Sequence, residues 1–138
     1  MKFREHHCFI FELLGTDLFE HLQATEFMGF DEEKIRIYTS QLLQTLAFLE
    51  VRHVIHCDLK PENILCVPDS NRLKVVDFGS GCLVHEQVYT YVQSRYYRAP
   101  EVILRIPYSD KVDIWSLGCL LAELYTGEPL FPGNNEQE

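Results

Sequence analysis

The stretch His56-Cys57-Asp58-Leu59-Lys60-Pro61-Glu62-Asn63 sets a carboxylate, an ammonium group and an amide in one short loop. Asp58 is able to accept a proton from a hydroxyl. Lys60 neutralises charge that builds on a transferring phosphoryl group. Asn63 offers a neutral oxygen to a hard cation such as Mg²⁺, and Pro61 stiffens the loop by fixing its φ. A second carboxylate follows in Asp77-Phe78-Gly79, at the end of the apolar run Leu73-Lys74-Val75-Val76. Positioning, metal binding and charge neutralisation are what phosphoryl transfer from a nucleotide asks of a protein. Either motif alone fits an ordinary turn. Their order, the strand-like run between them and two further motifs downstream separate the readings.

Composition sets the frame. The chain has 138 residues, enough for one small domain with its own core, and 46% of them are hydrophobic, which points to a globular chain. A net charge of −9 argues against direct nucleic-acid or membrane binding, which needs a basic face. The five cysteines (Cys8, Cys57, Cys66, Cys82, Cys119) form no CxxC pair, so neither a zinc ribbon nor a thioredoxin motif is expected. An odd count with no leader-like segment suggests a reducing, intracellular compartment, cytoplasmic or nuclear. No apolar run reaches transmembrane length, and the chain reads as one continuous unit.

Along the chain, Cys8-Phe9-Ile10-Phe11 predicts a buried strand. Thr16 to Gln23 predicts a short helix with Thr16 or Asp17 near its start. Asp31-Glu32-Glu33 sits where a helix N-terminus favours acids, and Ile35, Tyr38, Leu42, Leu46 and Leu49 mark one buried helical face. That helix delivers the chain to the Asp58 loop. Ile64 to Val67 and Leu73 to Phe78 predict a hairpin around the turn Pro68-Asp69-Ser70-Asn71, with Asn63 and Asp77 directed into one cleft. Residues 79–101 carry many hydroxyls and arginines and little regular pattern; so long a loop is usually functional. Asp110 to Thr126 predicts a helix closed by Gly127.

With His56-Cys57-Asp58, Asp77-Phe78-Gly79-Ser80, Ala99-Pro100-Glu101 and Asp113-Ile114-Trp115-Ser116-Leu117-Gly118 in hand, the chain resembles eukaryotic protein kinases. Cys57 in place of the usual arginine, and Tyr89-Thr90-Tyr91-Val92-Gln93-Ser94-Arg95-Tyr96-Tyr97-Arg98, are most similar to the dual-specificity tyrosine-regulated kinases (DYRK). The resemblance implies an α+β, protein-kinase-like fold, truncated. Residues 1–14 would be the end of the N-lobe and hinge, and 15–138 the C-lobe through its central helix. It implies ATP and Mg²⁺ as cofactors and protein substrates as partners, and it leaves the oligomeric state open.

Carried over by residue, the resemblance makes Asp58 the catalytic base, or the group that orients the substrate hydroxyl. Lys60 would contact the γ-phosphate, and Ser94 would brace both. Asn63 and Asp77 would hold Mg²⁺. On the nucleotide side, Phe11 would be the gatekeeper, Glu12 and Leu14 would meet adenine through the backbone, and Asp17 would lie at the ribose. Glu62 joins this set, and Leu65 and Val76 would floor the pocket, although core packing explains those two apolar positions as well. His56 would support the Asp77-Phe78-Gly79 turn, and Asp113 would anchor the catalytic loop. Tyr91 would be self-phosphorylated, with Arg95 and Arg98 pairing to the phosphate; a packed tyrosine beside exposed arginines is the other reading.

The chain departs from the family pattern in places. It has no glycine-rich loop before residue 8, and Lys2 and Lys34, the only lysines before Lys60, sit in no Val-Ala-x-Lys strand. The segment Arg105-Ile106-Pro107 stands where a glycine is expected nearby. Two accounts fit: a piece of an active kinase, or a non-catalytic remnant acting as a binding module. On either account the isolated chain is expected to be inactive and marginally stable, with the apolar faces of its two long helices exposed.

Overall fold

In the computed structural model, which describes residues 1–135, the acids before the helical stripes are the caps of real helices. Asp17 precedes α1 (Leu18–Ala24), and its Oδ1 accepts the Glu20 N–H at 2.8 Å. Asp31 does the same for α2 (Glu32–Val51), accepting from Lys34 at 2.8 Å. Each bond satisfies a donor that the first helical turn leaves without an intrahelical partner. The spaced residues Tyr38, Leu42, Leu46 and Leu49 are the buried face of α2.

The strands are short and all paired antiparallel. β1 (Lys2–Phe3) pairs with β2 (His6–His7), and β3 (Val54–Ile55) follows α2. β4 (Ile64–Cys66) and β5 (Leu73–Val75) form the expected hairpin in the register Ile64↔Val75, Leu65↔Lys74, Cys66↔Leu73. Gln41 of α2 pins its tip, donating to the Asn71 carbonyl at 2.7 Å and accepting from the Leu73 N–H at 2.9 Å. The second strand stops at Val75, short of the expected Phe78, because Asp77 is left-handed at φ 63°. The other edge of β4 is closed by residues 15–16: Gly15 N–H donates to Cys66 O at 2.8 Å and Cys66 N–H to Thr16 O at 2.9 Å.

Residues 79–101 are more ordered than their composition suggests. β6 (Cys82–Leu83) pairs with β3, a 3₁₀ turn spans Arg95–Tyr97, and α3 covers Pro100–Ile103. α4 (Lys111–Thr126) crosses beneath and supplies Leu117, Cys119, Leu120 and Leu124 to the main core, with α1, α2 and β4. A second, smaller core joins Ile55, Cys57, Val92, Ala99, Val102, Tyr108 and Val112 behind the Asp58 loop.

The N-terminal expectation is corrected. Residues 8–11 are not a buried strand. Met1 and Cys8 close the β1–β2 hairpin through reciprocal 2.8 Å bonds, and the chain then runs on without regular structure. Phe9, Ile10, Phe11 and Leu13 are 82%, 80%, 84% and 91% exposed. An apolar run becomes a buried strand only when a neighbouring strand pairs with it and a layer covers it, and the described residues supply neither. The expected exposure of the helices' apolar faces is also corrected: those faces are buried, and what stands open to solvent is scattered apolar residues such as Phe48 and Val51 of α2 and Ile114 and Tyr125 of α4. No helix among the described residues is long and apolar enough to cross a membrane.

The end of α4 is fixed by glycine. Gly127 has φ 86°, and a Cβ there would lie 1.7 Å from the Phe27 carbonyl oxygen. Gly127→Ala is therefore expected to cost at least about 2 kcal/mol, since left-handed strain and a backbone overlap both apply. Thermal unfolding should show a drop of roughly 10 °C. Gly118→Ala, mid-helix with open space around the added methyl, should hold or raise the midpoint. Equal midpoints for the two variants would refute the packing described.

Candidate active site

The Asp58 loop is built by alternation. His56, Cys57, Leu59 and Pro61 point into the core and are buried, while Asp58 and Lys60 are half-buried on the open side. Asp113 of α4 holds the turn. Its Oδ2 accepts the His56 N–H at 2.7 Å and its Oδ1 the Cys57 N–H at 3.0 Å. Burial pushes the Asp113 carboxyl up from its usual range, and the two backbone donors only partly offset this. Cys57 sits left-handed at φ 65°, so the loop reverses there. The Cys57 thiol is pushed well above its ordinary value, first by burial and then by the Cys82 thiol 3.9 Å away, so it is a packed, protonated group.

His56 links the loop to the Asp77 turn. One ring nitrogen, Nε2, lies 2.9 Å from Val76 O, the other, Nδ1, accepts the Asp58 N–H at 3.2 Å, and the ring meets Phe78 edge-on at 4.7 Å. Around Asp58 the polar groups converge. Ser94 donates to Oδ1 at 2.6 Å, Lys60 to Oδ2 at 2.8 Å, and Asn63 to Oδ2 at 3.2 Å and to the Asp58 carbonyl at 2.9 Å. Lys60 also reaches Ser94 Oγ at 3.2 Å. Burial would raise the Asp58 carboxyl, but bonds from Lys60, Ser94 and Asn63 and the Lys60 charge win, holding it below its ordinary range. Asp58 is thus an ionised carboxylate fixed by three donors.

The proposed metal ligands fit a hard cation. Asn63 spends its NH₂ on Asp58, so its side-chain carbonyl oxygen is the atom that would take a cation. Asp77 is exposed, with Oδ1 taken by the Gly79 N–H at 3.1 Å. Among the described residues no cluster of three or more His, Cys, Asp or Glu is assembled. Two protein oxygens, completed by nucleotide phosphates and water, is how Mg²⁺ is usually held.

The structure gathers the nucleotide-side residues only loosely. Asp17 and Leu65 form an isolated bridge, and Val76 N–H bonds Asn63 O at 3.0 Å, so these three do flank the site. Asp17, however, gives one carboxylate oxygen to the α1 cap. Glu12 pairs with Lys74 at 3.0 Å in an exposed ion pair, Leu14 is half-buried, and Phe11 is nearly bare. Glu62 instead lines a cleft of about 930 Å³ with Lys60, Tyr91, Ser94, Arg95 and Arg98.

The two arginines divide. Arg98 donates through Nη1 to the Tyr91 hydroxyl and lies 4.1 Å from the ring centroid. Arg95, at the start of the 3₁₀ turn, lines the same cleft but spends a donor on Asn134 O at 2.7 Å instead of on Tyr91. Gln93 is a residue that sequence reasoning missed. Its buried amide donates to Val112 O at 2.9 Å and Ser116 Oγ at 2.8 Å and accepts the Ala99 N–H at 2.9 Å. Its backbone is left-handed, φ 69°, which turns its carbonyl onto Arg98 Nη2 at 2.6 Å. A polar residue in a polar loop gives no signal of this.

Tyr97 and Glu123 were missed too. The phenol donates to the buried Glu123 carboxylate at 2.5 Å. Burial raises the Glu123 carboxyl above its usual 4.5, the Tyr97 bond lowers it less, and nearby Glu62 adds to the rise. The folded state therefore binds this proton more tightly than the unfolded one. The stabilisation is complete below about pH 4.5 and is lost as pH rises through the raised value. Glu123→Gln keeps an acceptor for Tyr97 and removes the slope. The stability difference, variant minus parent, should grow from pH 4 to pH 7; a flat difference would contradict it.

The profile of the protein kinase domain matches residues 1–138, and the chain belongs to that family. Relatives it matches include kinases named for the DYRK family and for dual specificity. It is 56% identical over 137 residues to the DYRK-family kinase pom1 of Schizosaccharomyces pombe, covering 99% of this chain and 13% of that one. It is 54% identical over 137 residues to dual specificity tyrosine-phosphorylation-regulated kinase 4 of Homo sapiens, covering 99% and 26%. With the dual specificity protein kinase YAK1 of Saccharomyces cerevisiae the figures are 54% over 134 residues, 96% and 17%. The chain thus spans between 13% and 26% of the length of these relatives.

Proposed function

We propose that the protein carrying this chain transfers the γ-phosphate of ATP to serine or threonine of protein substrates, and to its own Tyr91. The observation that carries this reading is the ionised Asp58 held by Ser94, Lys60 and Asn63 in one hydrogen-bonded set. Asp58 would accept, or orient, the proton of the substrate hydroxyl. Lys60, already at the acid, would neutralise charge on the oxygens in flight. Bound Mg²⁺, taken by Asn63 and Asp77, would supply further charge neutralisation. Positioning and electrostatics of this kind account for most catalysis in phosphoryl transfer. Five free cysteines suit an intracellular place of action, cytoplasmic or nuclear.

For residues 1–138 alone the same reading predicts silence, because Phe11 and Glu12 stand in solvent. The exposed run from Phe9 to Leu13 favours a second role for a product of this length, as a non-catalytic module that sticks to partners. Intact-mass and phosphopeptide analysis decides between them. The longest natural protein that carries this sequence should bear phosphate on Tyr91, and its Asp77→Asn variant should not. The 138-residue chain by itself should bear none. Phosphate on the short chain, lost with Asp77→Asn, would overturn its inactivity; none on the long protein would overturn the kinase reading.

A further inference from the structure

Ser94 lies between two points that are tied to one residue of α4. Before it, the Gln93 amide donates to Ser116 Oγ at 2.8 Å; after it, Ser116 Oγ donates to the Tyr97 carbonyl at 2.8 Å. Gln93 is 7% exposed and Ser116 is fully buried. The Gln93 NH₂ also donates to Val112 O at 2.9 Å, and the amide oxygen accepts the Ala99 N–H at 2.9 Å. A backbone carbonyl only accepts and a backbone N–H only donates, so these partners fix which way the amide sits. Asp113, between Val112 and Ser116 on the same helix, holds the His56 and Cys57 N–H groups. Ser94 and Asp58 are 36 positions apart in the chain, yet the bond between them measures 2.6 Å. Both of its ends rest on residues 112–116 of α4: Asp58 through Asp113, and Ser94 through Gln93. A tie at this point matters, because a misplacement of about 1 Å near a reacting group costs up to about a hundredfold in rate.

We propose that Gln93 is a positioning residue for the reaction: its amide joins the Ser94 segment to Val112 and Ser116 of α4 and so sets Ser94 Oγ against Asp58. This rests on the reading that Asp58 meets the substrate hydroxyl. Gln93 is buried and acts through Ser94, which is one of the three donors that hold the Asp58 side chain. One turn of α4 is then the common footing of two segments that are far apart in sequence. A glutamine that served folding alone would change the amount of native protein and not the dependence of the rate on Ser94.

The test compares Gln93→Met, Ser94→Ala and the double variant in the longest natural protein that carries this sequence. Methionine keeps the unbranched shape of glutamine and none of these hydrogen bonds. Gln93→Met is expected to lower kcat by roughly tenfold, and Ser94→Ala by a similar factor. Residues that act as a unit are non-additive, so the double variant should fall no more than about twofold below the slower single one. Independent effects would multiply to roughly a hundredfold, and that result overturns the proposal. An unchanged kcat in Gln93→Met overturns it too. Leu46→Val, a destabilising change in the main core, controls for folding and should show no coupling to Ser94→Ala. If Gln93→Met does not fold, Ser116→Ala decides: it removes one acceptor of the amide, and it should couple to Ser94→Ala in the same sense or the proposal fails. In a crystal structure of Gln93→Met, Ser94 Oγ should stand out of hydrogen-bond reach of Asp58. A retained bond overturns the proposal whether or not the protein transfers phosphate. Failure of the kinase reading shows separately, as a parent protein that transfers none.

Discussion

Asp58→Asn in the longest natural protein that carries this sequence is expected to lower kcat by about a thousandfold, within the usual range for a lost general acid or base. Nucleotide affinity should change far less than kcat, because Asp58 contacts none of the residues assigned to adenine or ribose and reaches the nucleotide only through Lys60 and Asn63. The swap preserves shape but removes the charge that balances Lys60. It also turns an NH₂ toward a group that already donates, whichever way the amide sits. Because interactions made by the anion hold the Asp58 carboxyl low, that charge contributes stability above its ordinary pKa near 3.8 and loses it as pH falls through the lowered value. The variant should therefore melt slightly below the parent at pH 7 and equal it in acid. Retention of more than a tenth of the parent kcat would sink Asp58 as the reacting acid or base and leave it, at most, as a scaffold.

Asp113→Ala is the largest stability change expected. Asp113 is 2% exposed, and its two oxygens satisfy the His56 and Cys57 N–H groups, both buried. Removing it strands two donors and leaves a small void. At about 1–3 kcal/mol for each orphaned buried donor the cost is roughly 2–6 kcal/mol, a large part of what a small domain has. Asp113→Asn separates geometry from charge. One amide oxygen can still accept, but the NH₂ meets the other backbone N–H donor. Burial has raised the Asp113 carboxyl, so the charged form is disfavoured in the fold and neutralising it offsets part of the loss. We expect Asn to cost less than half of what Ala costs, read by denaturant midpoints. Ala and Asn variants equal to the parent would mean that α4 does not hold the loop.

How much of this could be read beforehand depends on where the determining physics lies. The stripe from Ile35 to Leu49 and the caps Asp31 and Gly127 are local, fixed by helical spacing and by single-residue conformational preference, and they were legible. The cluster around Asp58 was legible because loop spacing itself places acid, lysine and amide together. Ser94 entered through family resemblance. Residues 8–11 were misread because an apolar run declares a need for burial without naming the surface that meets it. Arg95 and Arg98 looked equivalent in sequence. The 3₁₀ turn ends between them, and the extended backbone at Arg98 carries its side chain under Val92 and Gln93 while Arg95 faces residue 134. Gln93 was illegible because the partners of its buried amide, Val112 and Ser116, are distant in sequence, and its residue type does not advertise a left-handed backbone.

The bonds from Asp113 to His56 and Cys57 join positions 57 and 56 residues apart. Translation runs from the first to the second, at about 5–20 residues per second. For roughly 3–11 s on the ribosome, therefore, Asp58 exists on a loop whose anchor has not been made. Its helix α2 and hairpin β4–β5 are local and free to form in that interval, but the acid itself is not yet fixed. A nascent chain stalled before α4 would carry the chemistry in its sequence without the geometry to use it. Helix α4 is thus also a timing device: the site is assembled only once synthesis has passed the residue that holds it.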